Sequence, residues 1–475
     1  MGQQKSANLF SRRTILELGA LNTMMMMACR RPPIAAAPSS TTAANANDGG
    51  QRSAPLDFGP LMGDGKGLLD LPQGFSAVIL QTAGDRMSCG NRMPAQPDGM
   101  TCHMDSNGNY VVLRNHELSD AAWMAQRGPD LQTDVFADGR HPDLAYDTTM
   151  FGGVSRLVVQ PSLLSDALDA GVNGAEAVRS SNLVLAGTEF NCSGGHVPEG
   201  WISCEETDRP DHGYAFLTRI EDDKLVDPME RRITSWGRLK REGVSVVPDT
   251  GVVFMTEDHG SGSFYRFLPV NPSLPMGEGK LQAIVVEGVV DTDPEIPLTV
   301  GDSWPVRWVD IDDPQASAIP CREQGQARGA SRFNRCEGSV WDGHSLWFIA
   351  STAGPVGAGQ IFRYDPVAER LHLVVQVTDR AVLSMPDNVC LAPWGDLIMA
   401  EDNYNAAGGA THQYIRGLRP DGTVYDLARN PKNTPDDCGA EFTGPCFSPD
   451  GKYLFLNMQT PMNVTVAIRG PWQHG

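Results

Sequence analysis

From about Leu56 onward, apolar and polar positions alternate in short runs with the period of strands. The clearest runs are "NYVVLRNHE", "GWISCEE", "GVVFMTED", "HSLWFIAST", "GDLIMAED" and "KYLFLNMQT". A turn signal built on Gly, Pro, Asp or Asn precedes each of them. Before that turn lies another short run, in order "PDGMTCHM", "NCSGGHV", "REGVSVV", "CEGSVW", "PDNVCL" and "FTGPCF". Further aromatic strands follow some units, as in "SGSFYRFLP" and "GQIFRYDP". A strand, turn and strand grammar that recurs six times marks six supersecondary units. With almost no long helical period, the pattern predicts an all-β chain, a six-bladed β-propeller. Long insertions between Glu117 and Gly153 and between Pro269 and Asn334 are expected to be loops that cap one end of it.

The propeller gives the polar positions a meaning, because the innermost strands line a common axis and equivalent residues form rings. One ring draws on Asp98, Cys192, Glu242, Glu337, Asp387 and Glu441, each near the start of its unit's first strand. A second set, at the ends of the next strands, holds Glu117, Glu205, Glu206, Glu257, Asp258, Glu401 and Asp402. So many carboxylates around one axis repel unless protons or cations neutralise them. One thiol among carboxylates favours a transition metal over a purely calcium site, while the carboxylates suit hard cations. The blander reading of any single acid is a cap on a blade turn. Cys390 and Cys446 fall on apolar strand positions and read as packing. His103, His116, His196 and His259 lack zinc spacing, with His116 in "RNHE" the best exception.

Charge and the first residues narrow the function. A formal net charge of −20 over 475 residues argues against a nucleic-acid partner and is compatible with gathering cations. Residues 1–29 read as a twin-arginine export signal, with Arg12 and Arg13 ahead of a modest apolar run. Met27-Ala28-Cys29 forms a loose lipobox, which would make Cys29 a lipidated membrane tether at the periplasmic side. Residues 30–55 are a low-complexity linker, too poor in large apolar side chains to offset the entropy of ordering. Residues 56–475 remain as the propeller domain, expected to act as a monomer. Cys438 with Cys446, and Cys89 with Cys102, are the candidate disulfide pairs.

Taken in order, "RNHE", "NCSGG…WISCEE", "GRLKREG…VVFMTED", "RCEGSVW", "PDNVCLAPWGDLIMAED" and "EFTGPCFSPDGKYLFLNMQTP" resemble the PhoX family of bacterial alkaline phosphatases. The resemblance implies a propeller whose funnel holds two ferric ions and three calcium ions, and which hydrolyses small phosphate monoesters. Carried over, it makes Cys192, Glu205, Glu206 and Glu242 metal ligands, although Arg241 stands where the family has histidine. Glu337, Asp387 and Glu441 match its later acidic motifs, and Glu117 joins the ligand set. Arg335 is the phosphate-binding arginine this implies, ahead of Arg332. Two other functions fit a metal-bearing propeller. One is a calcium-dependent esterase or lactonase resembling the paraoxonases, using Glu337, Asn388 and Asn403; the other is a non-catalytic binding propeller.

Overall fold

The computed structural model describes residues 58–127, 142–293, 298–403, 412–431 and 440–472. Six strands begin the repeated units: Pro97–Met104, Asn191–Val197, Arg241–Val246, Cys336–Trp341, Pro386–Leu391 and Phe442–Phe447. Each of the six packs against the one before and the one after it, and these contacts close into a cycle in chain order, with Phe442–Phe447 returning to Pro97–Met104. Every one pairs antiparallel with the strand that follows it and lies at an end of its sheet. The arrangement is all-β and propeller-like.

The outer strands show how the sheets are finished. Ser76–Thr82, near the start of the fold, pairs with Val464–Arg469 near its end, so segments distant in sequence share one four-stranded sheet. The insertion after Pro269 departs from the expected capping loop. It supplies the strands Gly279–Val286 and Ser303–Asp310, and the second of these pairs with Arg370–Gln376 of the next unit. Two sheets thereby join into one of nine strands, which covers two edges that would otherwise expose unpaired backbone. The insertion after Glu117 carries the short helix Ala121–Arg127 among its described residues.

Aromatic side chains fill the interior between the units. Phe264 and Phe348 stack at 4.3 Å, Phe348 meets Phe362, its partner on the adjacent strand, at 5.3 Å, and all three are fully buried. Burying one such ring contributes about 1.5–3 kcal/mol. Cys390 and Cys446 lie among apolar neighbours, as expected of packing residues. Cys89 and Cys102 are free thiols, one exposed and one buried, so that candidate disulfide is not formed. Cys438 and Cys29 lie outside the described residues.

Each of the six innermost strands carries a bulge near its start, where two residues oppose one on the partner strand. Gly338 is the second bulge residue of its strand, and a Cβ there would lie 2.6 Å from the Asp387 carbonyl oxygen and 2.9 Å from Val389 N. Glycine is thus what permits the next innermost strand to approach. Gly338→Ala is expected to lower stability by about 1–3 kcal/mol through overpacking. Gly260→Ala, where a Cβ meets nothing within 4 Å, should leave the urea unfolding midpoint unchanged.

Candidate metal centre

The same bulges position the chemistry. In five of the six strands the first bulge residue is Asp98, Cys192, Glu242, Glu337 or Asp387. All five are buried. In the sixth strand that place belongs to Gly444, and Glu441 precedes the strand by one residue. Glu441 is therefore not the register equivalent that the sequence pattern suggests, yet its carboxylate still reaches the others.

Three groups of ligand atoms lie close enough to share a cation, all atoms within 4.8 Å of one another in each group. Cys192, Glu206 and Glu242 form the first, Glu242, Glu337 and Asp387 the second, and Asp387, Asp402 and Glu441 the third. Glu242 and Asp387 belong to two groups each, so the three adjoin in a row. Cys192 Sγ lies 3.4 Å from Glu242 Oε1. Glu242 Oε2 is buried without a hydrogen-bond partner, which is costly unless a further positive group meets it.

Electrostatics make the same point. Burial, followed by the repulsion of Asp387, Glu206 and Glu337, pushes the Glu242 carboxyl well above the ordinary carboxylate range. Burial and then Asp402 raise Asp387 to about 8. Burial first, with Asp258 adding to it and Lys240 opposing it, raises Glu206 to about 8. Glu337, Glu441 and Asp98 are displaced upward for the same two reasons, burial and neighbouring acids. Without cations, burial and mutual repulsion favour the protonated forms of these carboxyls; with cations the ionised forms are favoured. The donor set fits metal binding.

Strand alternation sorts the acidic doublets. Neighbouring residues in a strand point to opposite faces, so one acid of each pair enters the sheet and the other faces the axis. Glu205 accepts from the backbone N–H groups of Glu189, Gly213 and Tyr214 and contacts His212 Nδ1 at 2.6 Å. Glu257 accepts from Arg322 and Tyr265, and Glu401 from Arg416, Ser384 and Asn403. These first acids are braces, and Glu205, expected among the ligands, stands outside the three groups. The second acids, Glu206, Asp258 and Asp402, reach the site.

The remaining expected residues separate in the same way. Glu117 lies beside Asp98, where Gln459 Nε2 donates to both, at 3.1 Å and 2.6 Å, and it is not part of the three groups. His116 contacts the Ala95 carbonyl and Ser155 Oγ, so it is a braced core residue and not the exception its motif suggests. Arg241, at the position of the family's histidine, is fully buried and donates to the carbonyls of Gly213, Trp236 and Gly237. Arg335 lies at ion-pair distance from Glu337 Oε1, 2.9 Å, and its Nε donates to Asp258 Oδ1 at 2.9 Å. Arg332 instead pairs with Asp291. Arg335 carries a φ of 54°, and Gln96, Phe190 and Met385, each just before an innermost strand, share this left-handed backbone. Such strained positions persist where the surroundings fix them, commonly at functional sites.

Asp402, Asp258 and Lys240 also belong to the site, beyond the ligands the resemblance implies. Asp402 and Asp258 are second members of acidic doublets, as Glu206 is, which is the sequence signal for them.

A propeller-like all-β scaffold that gathers one thiol and six carboxyls into adjoining cation-sized groups has the donors expected of a metal-dependent enzyme centre. The sequence matches the family model described as alkaline phosphatase PhoX over residues 56–462, and the chain belongs to that family. It is a metal-dependent phosphatase. Among solved structures, Pseudomonas fluorescens PhoX in complex with vanadate, a transition-state analogue, matches with a TM-score of 0.56 and 16% identity, covering 85% of this chain and 96% of its own. A putative 6-phosphogluconolactonase from Bacteroides uniformis matches with a TM-score of 0.37 and 12% identity, over 81% of this chain and 89% of its own. A gluconolactonase from Xanthomonas campestris matches with a TM-score of 0.31 and 12% identity, over 83% and 97%. No curated protein matches the chain in sequence at a significant level.

Proposed function

We propose that this phosphatase hydrolyses small phosphate monoesters at the row of three acidic groups, within a six-bladed propeller loaded with two ferric ions and up to three calcium ions. The observation that carries the reading is the shared use of Glu242 and Asp387, which sets the groups side by side so that several cations can face one phosphate. The sulfur of Cys192 favours iron in the first group, and the all-carboxylate third group of Asp387, Asp402 and Glu441 favours calcium. When bound, such cations polarise a phosphoryl oxygen and activate the attacking water. Arg335, held by Asp258 and Glu337, presents a fixed guanidinium to the phosphate oxygens. The vanadate bound by the Pseudomonas relative supports a small phosphate substrate. In the same reading the chain is exported through residues 1–29 to the periplasm, acts as a monomer, and is tethered where Cys29 is lipidated.

Metal-replete protein is expected to contain iron and calcium together and to show visible thiolate-to-iron absorption. Elemental analysis and a spectrum check this; active, colourless and iron-free protein would replace iron with calcium alone. Offered p-nitrophenyl phosphate, a phosphodiester, an acetate ester and a lactone, the enzyme should turn over the monoester fastest. Turnover of the ester or lactone without phosphate release would favour the lactonase alternative, and turnover of none a binding protein.

A further inference from the structure

The position before the innermost strand holds a cation in two consecutive units, and each lies two residues before a buried glutamate: Lys240 before Glu242 and Arg335 before Glu337. Both side chains converge on Asp258. Lys240 Nζ donates to Asp258 Oδ2 at 2.9 Å, and Arg335 Nε donates to Asp258 Oδ1 at 2.9 Å. Their outer contacts differ in an informative way. Lys240 Nζ also donates to Glu206 Oε1 at 2.5 Å, beside the first group, whereas Arg335 meets Glu337 beside the second. Asp258 is 5% exposed, so it acts as a buried strut that fixes the spacing of two cations across the border between the groups. The cations themselves remain open to solvent, with side-chain exposures of 28% for Lys240 and 24% for Arg335.

We infer that Lys240 is a second substrate-binding cation, which with Arg335 and Asp258 forms a clamp selecting the dianionic phosphate of a monoester over the monoanion of a diester. An ammonium group has three N–H donors. Two are committed to Glu206 and Asp258, which orients the third without consuming it. Arg335 spends Nε and Nη2 on Asp258 and Glu337 and acts on a ligand through its remaining charge, and Lys240 is a point charge fixed on the other oxygen of Asp258, so the two cations engage different oxygens of one phosphate. A dianion gains from both cations, whereas a diester offers fewer charged oxygens. Asp258 is a positioning residue, because it acts through the cations it holds. The inference rests on the phosphatase reading and adds a residue and a selectivity to it.

The test uses full-length, metal-replete wild type, Lys240→Gln, Lys240→Arg and Arg335→Gln. Inorganic phosphate binding is measured by calorimetry, metal content by elemental analysis, and kcat and KM with p-nitrophenyl phosphate and bis-p-nitrophenyl phosphate. Lys240→Gln should weaken phosphate binding about tenfold, the order expected for one charge-assisted hydrogen bond, and raise the monoester KM in parallel. Metal content should stay at the wild-type level, the preference for monoester over diester should fall, and Lys240→Arg should restore most of the binding. Unchanged phosphate affinity in Lys240→Gln overturns the inference. So does a loss of metal in proportion to the loss of affinity, which would make Lys240 a support for Glu206. A metal-loaded wild type that binds no phosphate would instead sink the phosphatase reading itself. Circular dichroism of Lys240→Gln separates misfolding from these outcomes, and in that event Lys240→Met, which keeps the length of the side chain without its charge, carries the same binding and selectivity test, with unchanged phosphate affinity again overturning the inference.

Discussion

Glu242→Gln is expected to lower kcat/KM for an aryl phosphate by about a thousandfold or more and to strip metal from two of the three groups together. The reasoning starts from geometry, since Glu242 is the carboxylate shared between the Cys192 group and the Glu337 and Asp387 group. Glutamine keeps the shape and removes the charge, so two cations each lose an anionic ligand. Loss of metal-dependent transition-state stabilisation on that scale corresponds to about 4 kcal/mol. The comparison variant is Glu205→Gln. That side chain braces the backbone of Gly213 and Tyr214 outside the groups, so stability should fall while metal per folded molecule stays constant. Elemental analysis of the folded fraction decides between them. Full metal content in Glu242→Gln would show that the row is not shared as the geometry implies.

The contrast between these two glutamates also shows how far the sequence could be read. The repeated units were legible because each begins with a turn, an acid or cysteine and usually a small residue, and these are the requirements of a bulge packed against the next strand. The doublets were legible as acidic, but strand alternation decides which acid faces the axis, and that parity depends on the bulge. Hence the sequence pattern alone does not separate Glu205 from Glu206, or single out Asp402, which joins the third group. Glu441 shows the converse. It enters the third group from outside its strand, where the bulge position is Gly444 and no ring equivalence applies. The insertion after Pro269 read as a loop because strand pairing across two units depends on contacts distant in sequence, such as Ser303 with His372.

Metal removal is expected to invert the dependence of stability on pH. In the metal-free protein the Glu206 and Asp387 carboxyls are raised to about 8, from ordinary values of 4.5 and 3.8. A carboxyl whose folded value lies above its unfolded value binds more protons in the folded state throughout that interval. Stability therefore falls as pH rises from about 4 to about 8. Each unit of displacement corresponds to about 1.4 kcal/mol, so together the two groups contribute on the order of several kcal/mol even after generous allowance for their coupling. Cations reverse the sign, because they bind the ionised carboxylates and compete with protons. Chelator-treated protein should thus unfold at progressively lower urea concentration as pH rises from 5 to 8, while metal-replete protein gains or holds stability over the same interval. Titrating calcium into metal-free protein near pH 7 should release protons, seen as a buffer-dependent heat in calorimetry. Parallel pH profiles for the two forms, with no proton release, would mean that the buried acids are neutralised by their protein neighbours, with Lys240 and Arg335 sufficient for the task.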